Sequence, residues 1–406
     1  MSNTQLQQKV IRTLATAQVL NGLGVAGTVA AGSLLVSSVS NSETLAGLAQ
    51  TSSVLGAAAL ALPLARLTQI GGRRLALSMG LILGVIGSLL VISGGLNENL
   101  YLILLGTFLV GAASASGYQA RFAAIDLATS QRSSQQLSFV VWGSTIGAVA
   151  GPNLMQPSGD FARKLGFPEL VGPYFISAIT LTLAAAVILI FLRPDPYLTA
   201  NKLSSEKQKQ ITNKLALKHI LGNKLARFAI AAITVGHVAM VSVMVMTPIH
   251  MAHVDVTLRI IGIVISIHVL GMYAFSPVVG LVSDRIGGVA TIKIGLATLL
   301  ISSVIAGTSP AGDAIRLGVG LFLLGLGWSC TLIAGSTLLS QSVELNFKSA
   351  SQGASDLVMN LAGAGGGAVA GVIIATLSYG WLCLIASIPV ACLALTSLKL
   401  KPGLLK

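Results

Sequence analysis

The sequence predicts an all-α polytopic membrane protein with twelve transmembrane helices, laid out as two pseudo-symmetric six-helix bundles. Three observations carry this expectation. Hydrophobic residues make up 54% of the 406 positions and Asp, Glu, Lys and Arg only 9%, a surface that water cannot solvate. Twelve apolar runs follow one another, each near the roughly 20 residues that cross a ~30 Å hydrocarbon layer as a helix. Basic residues gather in every second gap between the runs. Inside lipid the backbone must satisfy its own polar groups, so each run reads as a helix.

The expected spans are 13–37, 45–64, 75–95, 100–124, 136–157, 173–192, 226–248, 258–279, 291–308, 316–340, 351–377 and 381–398. Span 1 contains a cleavage-like Val29-Ala30-Ala31 tract but exceeds the apolar core of a signal peptide, so it is read as an uncleaved helix. The sequence contains 45 Gly, many of them inside spans, where small residues let helix backbones approach closely. Cys330, Cys383 and Cys392 all fall in spans and are read as three small buried residues, with neither a disulfide framework nor metal-ligand spacing.

With the N-terminus inside, 21 of the 25 Lys and Arg residues lie in inside segments, including Lys9, Arg12, Lys399, Lys401 and Lys406. Only Arg163, Lys164, Arg259 and Arg316 fall outside. The positive-inside rule then places both termini in the cytoplasm and the chain in the cell (inner or plasma) membrane as a multi-pass protein. The net charge of +13 is scattered over short loops without an aromatic-interleaved basic patch. Anionic membrane lipid is therefore the expected counterion, and nucleic acid is not an expected partner. No Gly-Lys-Ser/Thr phosphate loop, metal cluster or nucleophile triad is present, so the sequence reads as neither an enzyme nor a cofactor carrier.

The polar stretch from Arg193 to Lys224 divides the spans six and six. This gives an N-terminal bundle over 1–192, a cytoplasmic linker over 193–225 that includes an interfacial helix, and a C-terminal bundle over 226–406. The halves align without gaps: Arg132 meets Lys348, Gln136 meets Gln352, Gly147 meets Gly363 and Gly151 meets Gly367. Gly111 likewise meets Gly325. Repeats of this kind are the architecture of alternating-access carriers.

Between spans 8 and 9 stands Gly280-Leu281-Val282-Ser283-Asp284-Arg285-Ile286-Gly287. Asp284 can accept from the free N–H groups of a neighbouring helix start, and Arg285 can pair with a carboxylate or the lipid surface. At the equivalent place in the first half lies Ala65-Arg66-Leu67-Thr68-Gln69-Ile70-Gly71-Gly72-Arg73-Arg74. These segments resemble the loop signature of the major facilitator superfamily, Gly-x-x-x-Asp-Arg-x-Gly-Arg-Arg. The second copy keeps Gly280, Asp284, Arg285 and Gly287, and the first keeps Gly72, Arg73 and Arg74. Gly143-x-x-x-Gly147-x-x-x-Gly151-Pro152 resembles a signature of that superfamily's exporters, although the small-residue spacing is also generic helix packing, and Pro152 can kink or end span 5. One departure is Thr107 in Gly106-Thr107-Phe108-Leu109-Val110-Gly111, where drug exporters of the family often carry Arg. The resemblance implies that spans 1, 4, 7 and 10 line the path. It also implies that Asp126 meets Arg73 or Arg74 and latches the inner side.

Ionisable groups in or near spans are functional candidates, because burying them unpaired is expensive. Asp356 lies early in span 11, one turn before Asn360, and its repeat partner is Val140. Two readings stand: a proton carrier, or a gate paired with Arg66 or Arg73. His268 and His237 are further proton-coupling candidates, or neutral histidines bonded to a neighbouring helix. His250 and His253 are read as solvated near the outer surface. Arg121 is expected to snorkel to the interface. Asn21, Met240, Met244, Trp328 and Asn360 are substrate-path candidates, and a Met-rich wall suits a hydrophobic or amphipathic guest. The expected function is efflux of a small compound in exchange for protons by a monomeric carrier. The alternatives are an importer or uniporter of a neutral metabolite, and a membrane sensor or scaffold that transports nothing.

Overall fold

Apolar periodicity is absent from these spans because both faces of each helix meet either lipid or another helix, and the chain answers with helices throughout. The computed structural model describes residues 3–42, 45, 47–203, 213–252 and 258–400. Ten described helices are long and apolar enough to cross a membrane, and a bent pair raises this to 11. One of the ten, Gly47–Leu96, has 50 residues, more than twice the length a bilayer needs, and breaks at Gly72 (φ 83°, ψ 177°). Counted as two, it completes twelve.

In chain order these are α1 (Asn3–Ser40), α2 (47–71), α3 (73–96), α4 (Leu100–Ala123), α5 (Ser133–Asn153) and α6 (Gly172–Phe191). The second half supplies α7 (Lys224–Ala252), α8 (Ile260–Ile286), α9 (Gly288–Gly307), α10 (Ala314–Ser342), α11 (Leu345–Thr376) and α12 (Tyr379–Ser397). Several helices outrun their apolar stretch. Thus α1 starts ten residues before the expected span, because polar residues continue a helix once it has left the hydrocarbon. After Asn153 the chain bends by 56° into a short helix, Met155–Lys164, so the region around Pro152 does end the straight part of span 5. A π-helical turn, Leu270–Ala274, interrupts α8. The linker contributes the helices Pro196–Leu203 and Asn213–Gly222. Residues 204–212 of the linker, His253, Lys401 and Lys406 lie outside the described residues.

Contacts divide the chain into two compact units. Unit 1 comprises Met1–Ala128, Gly143–Ala216 and Leu345–Asn360; unit 2 comprises Thr129–Trp142, Leu217–Glu344 and Leu361–Lys406. Each unit therefore holds five whole spans of one sequence half, the later part of α5 or α11 from that half, and the opening turns of the equivalent helix from the other. Close backbone approach joins α5 to α1 within unit 1, beside a cluster of large buried side chains that includes Leu35, Ile92, Ile103 and Tyr174. A Cβ on Gly147 would stand 2.4 Å from the Gly22 backbone, and one on Gly143 would stand 2.8 Å from the Ala15 carbonyl. With Gly151 against Ala26 and Gly27, the column Gly143, Gly147 and Gly151 seats α5 on α1. Cys330 and Cys383 are buried, but Cys392 is exposed on α12, so only two of the three cysteines fit the packing expectation.

Candidate functional site

In unit 1 the turn at Gly72 directs Arg73 inward. A positive φ suits glycine, and there is no room for a side chain, since a Cβ would stand 2.5 Å from an Asp195 carboxylate oxygen. That carboxylate accepts from the Arg74 backbone N–H at 2.7 Å, capping the start of α3. Arg73 is fully buried. Its Nε and Nη2 donate to the two Asp126 oxygens at 2.7 and 3.1 Å, a bidentate pair. Nη1 donates to Gln119 Oε1 at 3.2 Å and Nη2 also to Gln352 Oε1 at 2.6 Å. Burial pushes the Asp126 carboxyl above the usual carboxylate range, against the pull of the Arg73 guanidinium.

Gln119 couples this pair to a second one. Its Nε2 donates to Asp356 Oδ2 at 3.0 Å, and Arg121 Nη2 donates to Asp356 Oδ1 at 2.5 Å. Gln119, Arg121, Gln352 and Asp356 are all buried. Arg121 therefore does not snorkel. Its side chain is 2% exposed, because Asp356 draws it inward and Phe122 lies beneath the guanidinium, 4.7 Å from carbon to ring centre. Its Nε and Nη1 make no hydrogen bond among the described residues. Asp356 pairs with neither Arg66, which is exposed, nor Arg73, which is taken up by Asp126. Asn360, one turn on, donates to the Asp356 backbone carbonyl at 2.7 Å and braces this stretch of α11. The set balances two guanidiniums against two carboxylates, as buried charge requires.

Unit 2 builds its motif differently. Asp284 accepts from the backbone N–H groups of Ser134 and Gln135, both at 2.9 Å, satisfying two donors that the first turn of α5 leaves free. The Ser134 and Ser283 hydroxyls meet at 2.9 Å. A Cβ on Gly280 would stand 2.3 Å from Ser138 Oγ and 2.7 Å from the Ser134 carbonyl, so glycine is needed for α8 to reach α5. Arg285 is exposed.

The remaining candidates lie apart from these clusters. His268 is fully buried, with Nδ1 2.8 Å from the Leu321 carbonyl and no hydrogen bond at Nε2 among the described residues. His237 Nδ1 accepts from Trp328 Nε1 at 3.2 Å, and Tyr273 meets Trp328 edge-on at 5.6 Å. Met240 is buried and Met244 half-buried on the same helix. His250 is not simply solvated: it stacks on Tyr379 at 4.2 Å. Asn21 donates to the Ala113 carbonyl at 3.2 Å, while its Oδ1 has no hydrogen-bond partner among the described residues and the side chain borders a water-sized void. A search for charge inside spans passes over the uncharged Gln119, Gln352 and Tyr273, and over Asp195, which lies outside the spans in the linker. The available signal for Gln119 was an amide in an otherwise small-residue span.

The Major Facilitator Superfamily model matches residues 14–257. The chain is 35% identical over 385 residues to the uncharacterized MFS-type transporter YdeG of Bacillus subtilis (strain 168), covering 94% of this chain and 90% of that one. It is 26% identical over 359 residues to the riboflavin transporter RfnT of Brucella anthropi, covering 88% and 87%. Among solved structures, the crystal structure of the Escherichia coli fucose:proton symporter FucP superposes with a TM-score of 0.73 over 96% of this chain and 98% of that one. At 16% identity this last likeness speaks for the fold alone.

Proposed function

The chain belongs to the major facilitator superfamily of membrane transporters, and from that premise we propose that it exports a small, hydrophobic or amphipathic compound in exchange for protons. The observation that carries the coupling is Asp356, a fully buried carboxylate in a membrane span, held by Arg121 and Gln119. Protonating it removes the charge that keeps Arg121 in place, so proton binding and the attachment of α11 to α4 are linked. A proton shifts such an equilibrium only by binding the two states unequally, and this ion pair supplies the difference. In this reading the bonds Arg73–Gln352, Gln119–Asp356 and Arg121–Asp356 hold the opening turns of α11, and their release accompanies alternating access. His237 and His268 then serve helix packing, since each has a ring nitrogen already bonded to the neighbouring helix. The charge bias supports cytoplasmic termini, a cell-membrane location and a motif end that faces the cytoplasm. We take the protein to act as a monomer.

The guest is proposed to meet Asn21, Met240, Met244 and Trp328 along the path. A second reading, import of a neutral planar metabolite, draws support from the similarity to a riboflavin transporter and from the Tyr273–Trp328–His237 cluster. Inside-out vesicles separate the two. With riboflavin and a panel of planar lipophilic dyes, an exporter accumulates its guest in the vesicle lumen and dissipates an imposed pH gradient. Asp356→Asn is expected to keep guest exchange and lose the gradient response. An unaltered gradient response in that variant removes Asp356 from the coupling, and accumulation only in right-side-out vesicles reverses the direction.

A further inference from the structure

Where α9 ends and α10 and α12 begin, unit 2 carries an open groove of about 350 Å³. Its floor is made by two glycines. A Cβ on Gly380 would stand 2.8 Å from the Gly307 carbonyl, and one on Gly307 would stand 2.8 Å from the Cys383 Cβ. Backbone contact at this depth leaves a slot between the side chains above it, walled by Val304, Trp381 and Leu384. Three of the four hydroxyls along the slot are already engaged as donors, and the fourth, Ser378 Oγ, accepts from the Trp381 backbone N–H at 3.3 Å. Ser303, Thr308 and Ser387 already donate to the carbonyls of Leu299, Val304 and Leu384. An apolar chain therefore fits the length of the slot.

One end of the slot is charged. Arg316 Nη2 donates to Thr308 Oγ1 at 2.7 Å, and the guanidinium forms no ion pair among the described residues. Ile315 beside it is 83% exposed, and Trp381 is also exposed, an apolar rim with an indole of the kind that sits at headgroup level. A cation at the mouth, an aromatic at the rim and an apolar slot running into two membrane spans together match one ligand. We propose that this groove binds an anionic phospholipid, with an acyl chain between α9 and α12 and its phosphate on Arg316.

The test uses the full-length protein in detergent, supplemented with phosphatidylglycerol or with phosphatidylcholine of the same chains, and reads retained lipid by native mass spectrometry and the thermal midpoint. The wild type is expected to retain phosphatidylglycerol about fivefold better, the preference one arginine near a headgroup supplies. Arg316→Gln should abolish that preference, and Ser387→Phe, which fills the slot, should lower retention of both lipids. Lys164→Gln, an exposed lysine in unit 1, should leave the preference as it is. Arg316→Gln is a surface change, so its result stands even where Ser387→Phe fails to fold. Equal retention of the two lipids by the wild type, or an unchanged preference in Arg316→Gln, overturns the proposal. So does a thermal shift produced by inorganic phosphate with phosphatidylcholine, which would assign the arginine to a free anion.

Discussion

The two loop motifs occupy equivalent places in the repeat, yet they hold their partner helices by different chemistry. Both turn on a glycine at positive φ, Gly72 at 83° and Gly287 at 91°. In unit 2 a single carboxylate, Asp284, caps α5 through two backbone N–H groups, and a pair of serine hydroxyls completes the contact. In unit 1 two buried ion pairs joined by Gln119 hold α11. Extending the repeat alignment places Gly288 opposite Arg73, Ile333 opposite Gln119, Gly335 opposite Arg121, Ser340 opposite Asp126 and Val140 opposite Asp356. None of these four charges is repeated in the other copy. The Asp284 cap holds two backbone N–H groups and neutralises no buried cation, whereas each ion pair of the other copy loses its charge balance when its carboxylate is protonated. In the function proposed above, the copy with the two ion pairs senses the proton and the copy built on Asp284 acts as a fixed hinge.

The largest effect is expected when one charge is removed from a buried ion pair. Arg121→Leu leaves Asp356 buried without its partner, and a broken buried pair is expected to lower stability by about 3–5 kcal/mol. Replacing both residues, Arg121→Leu with Asp356→Val, restores the apolar state of the other repeat and should recover most of that loss while leaving transport uncoupled. Thermal unfolding in detergent reads both. A single variant as stable as the wild type would mean that the pair does not hold α11. A double variant no better than the single would mean that the site cannot tolerate the chemistry of its own repeat partner.

A smaller effect is expected in the copy built on Asp284. Asp284→Asn keeps the shape but removes the charge from two hydrogen bonds, at a cost of about 2 kcal/mol. The loss should not depend on pH between 6 and 8, because no proton-linked pair is involved, whereas transport by Asp356 variants should change its pH profile. A pH-dependent loss in Asp284→Asn would place proton sensing in both copies and erase the distinction.

Much of this was legible in the sequence, and the misses have a common physical cause. Helix number and the six-and-six layout follow from run length and from the placing of Lys and Arg, which are local and summed over many residues. The partnership of Arg121 with Asp356 joins residues 235 positions apart, and nothing near either one signals it. Position alone placed Arg121 close enough to a span end to snorkel, and only the carboxylate arriving on α11 turns it inward. Gln119 and Gln352 carry no charge, so a search for intramembrane charge passes over them although they link the two pairs. The glycine column of α5 was legible as packing, but its partner helix, α1, was not, because small-residue spacing says how close a neighbour comes and not which neighbour it is.

The finest difference between the copies is which helix gives up its side chain at the crossing. In unit 2 the glycine is on α8, Gly280, facing Ser134 and Ser138 of α5. In unit 1 it is on α11: a Cβ on Gly353 would stand 2.5 Å from the Ala65 Cβ and 3.1 Å from the Ala61 carbonyl. Ala65 takes the place of the motif's first glycine, and the Ser349 hydroxyl donates to its carbonyl at 2.7 Å. The methyl group has moved from one helix to the other, and the close approach is kept. Gly353→Ala alone puts two methyls in one place and should cost about 1 kcal/mol, the low end of overpacking, because alanine regains helix propensity. Adding Ala65→Gly moves the methyl across the crossing and removes the nearer clash, leaving only the Ala61 carbonyl to shift by a few tenths of an ångström. The double variant should therefore be more stable than Gly353→Ala alone, with a coupling visible in a double-mutant cycle of thermal midpoints. Simple additivity of the two changes would show that α2 and α11 do not meet at these residues.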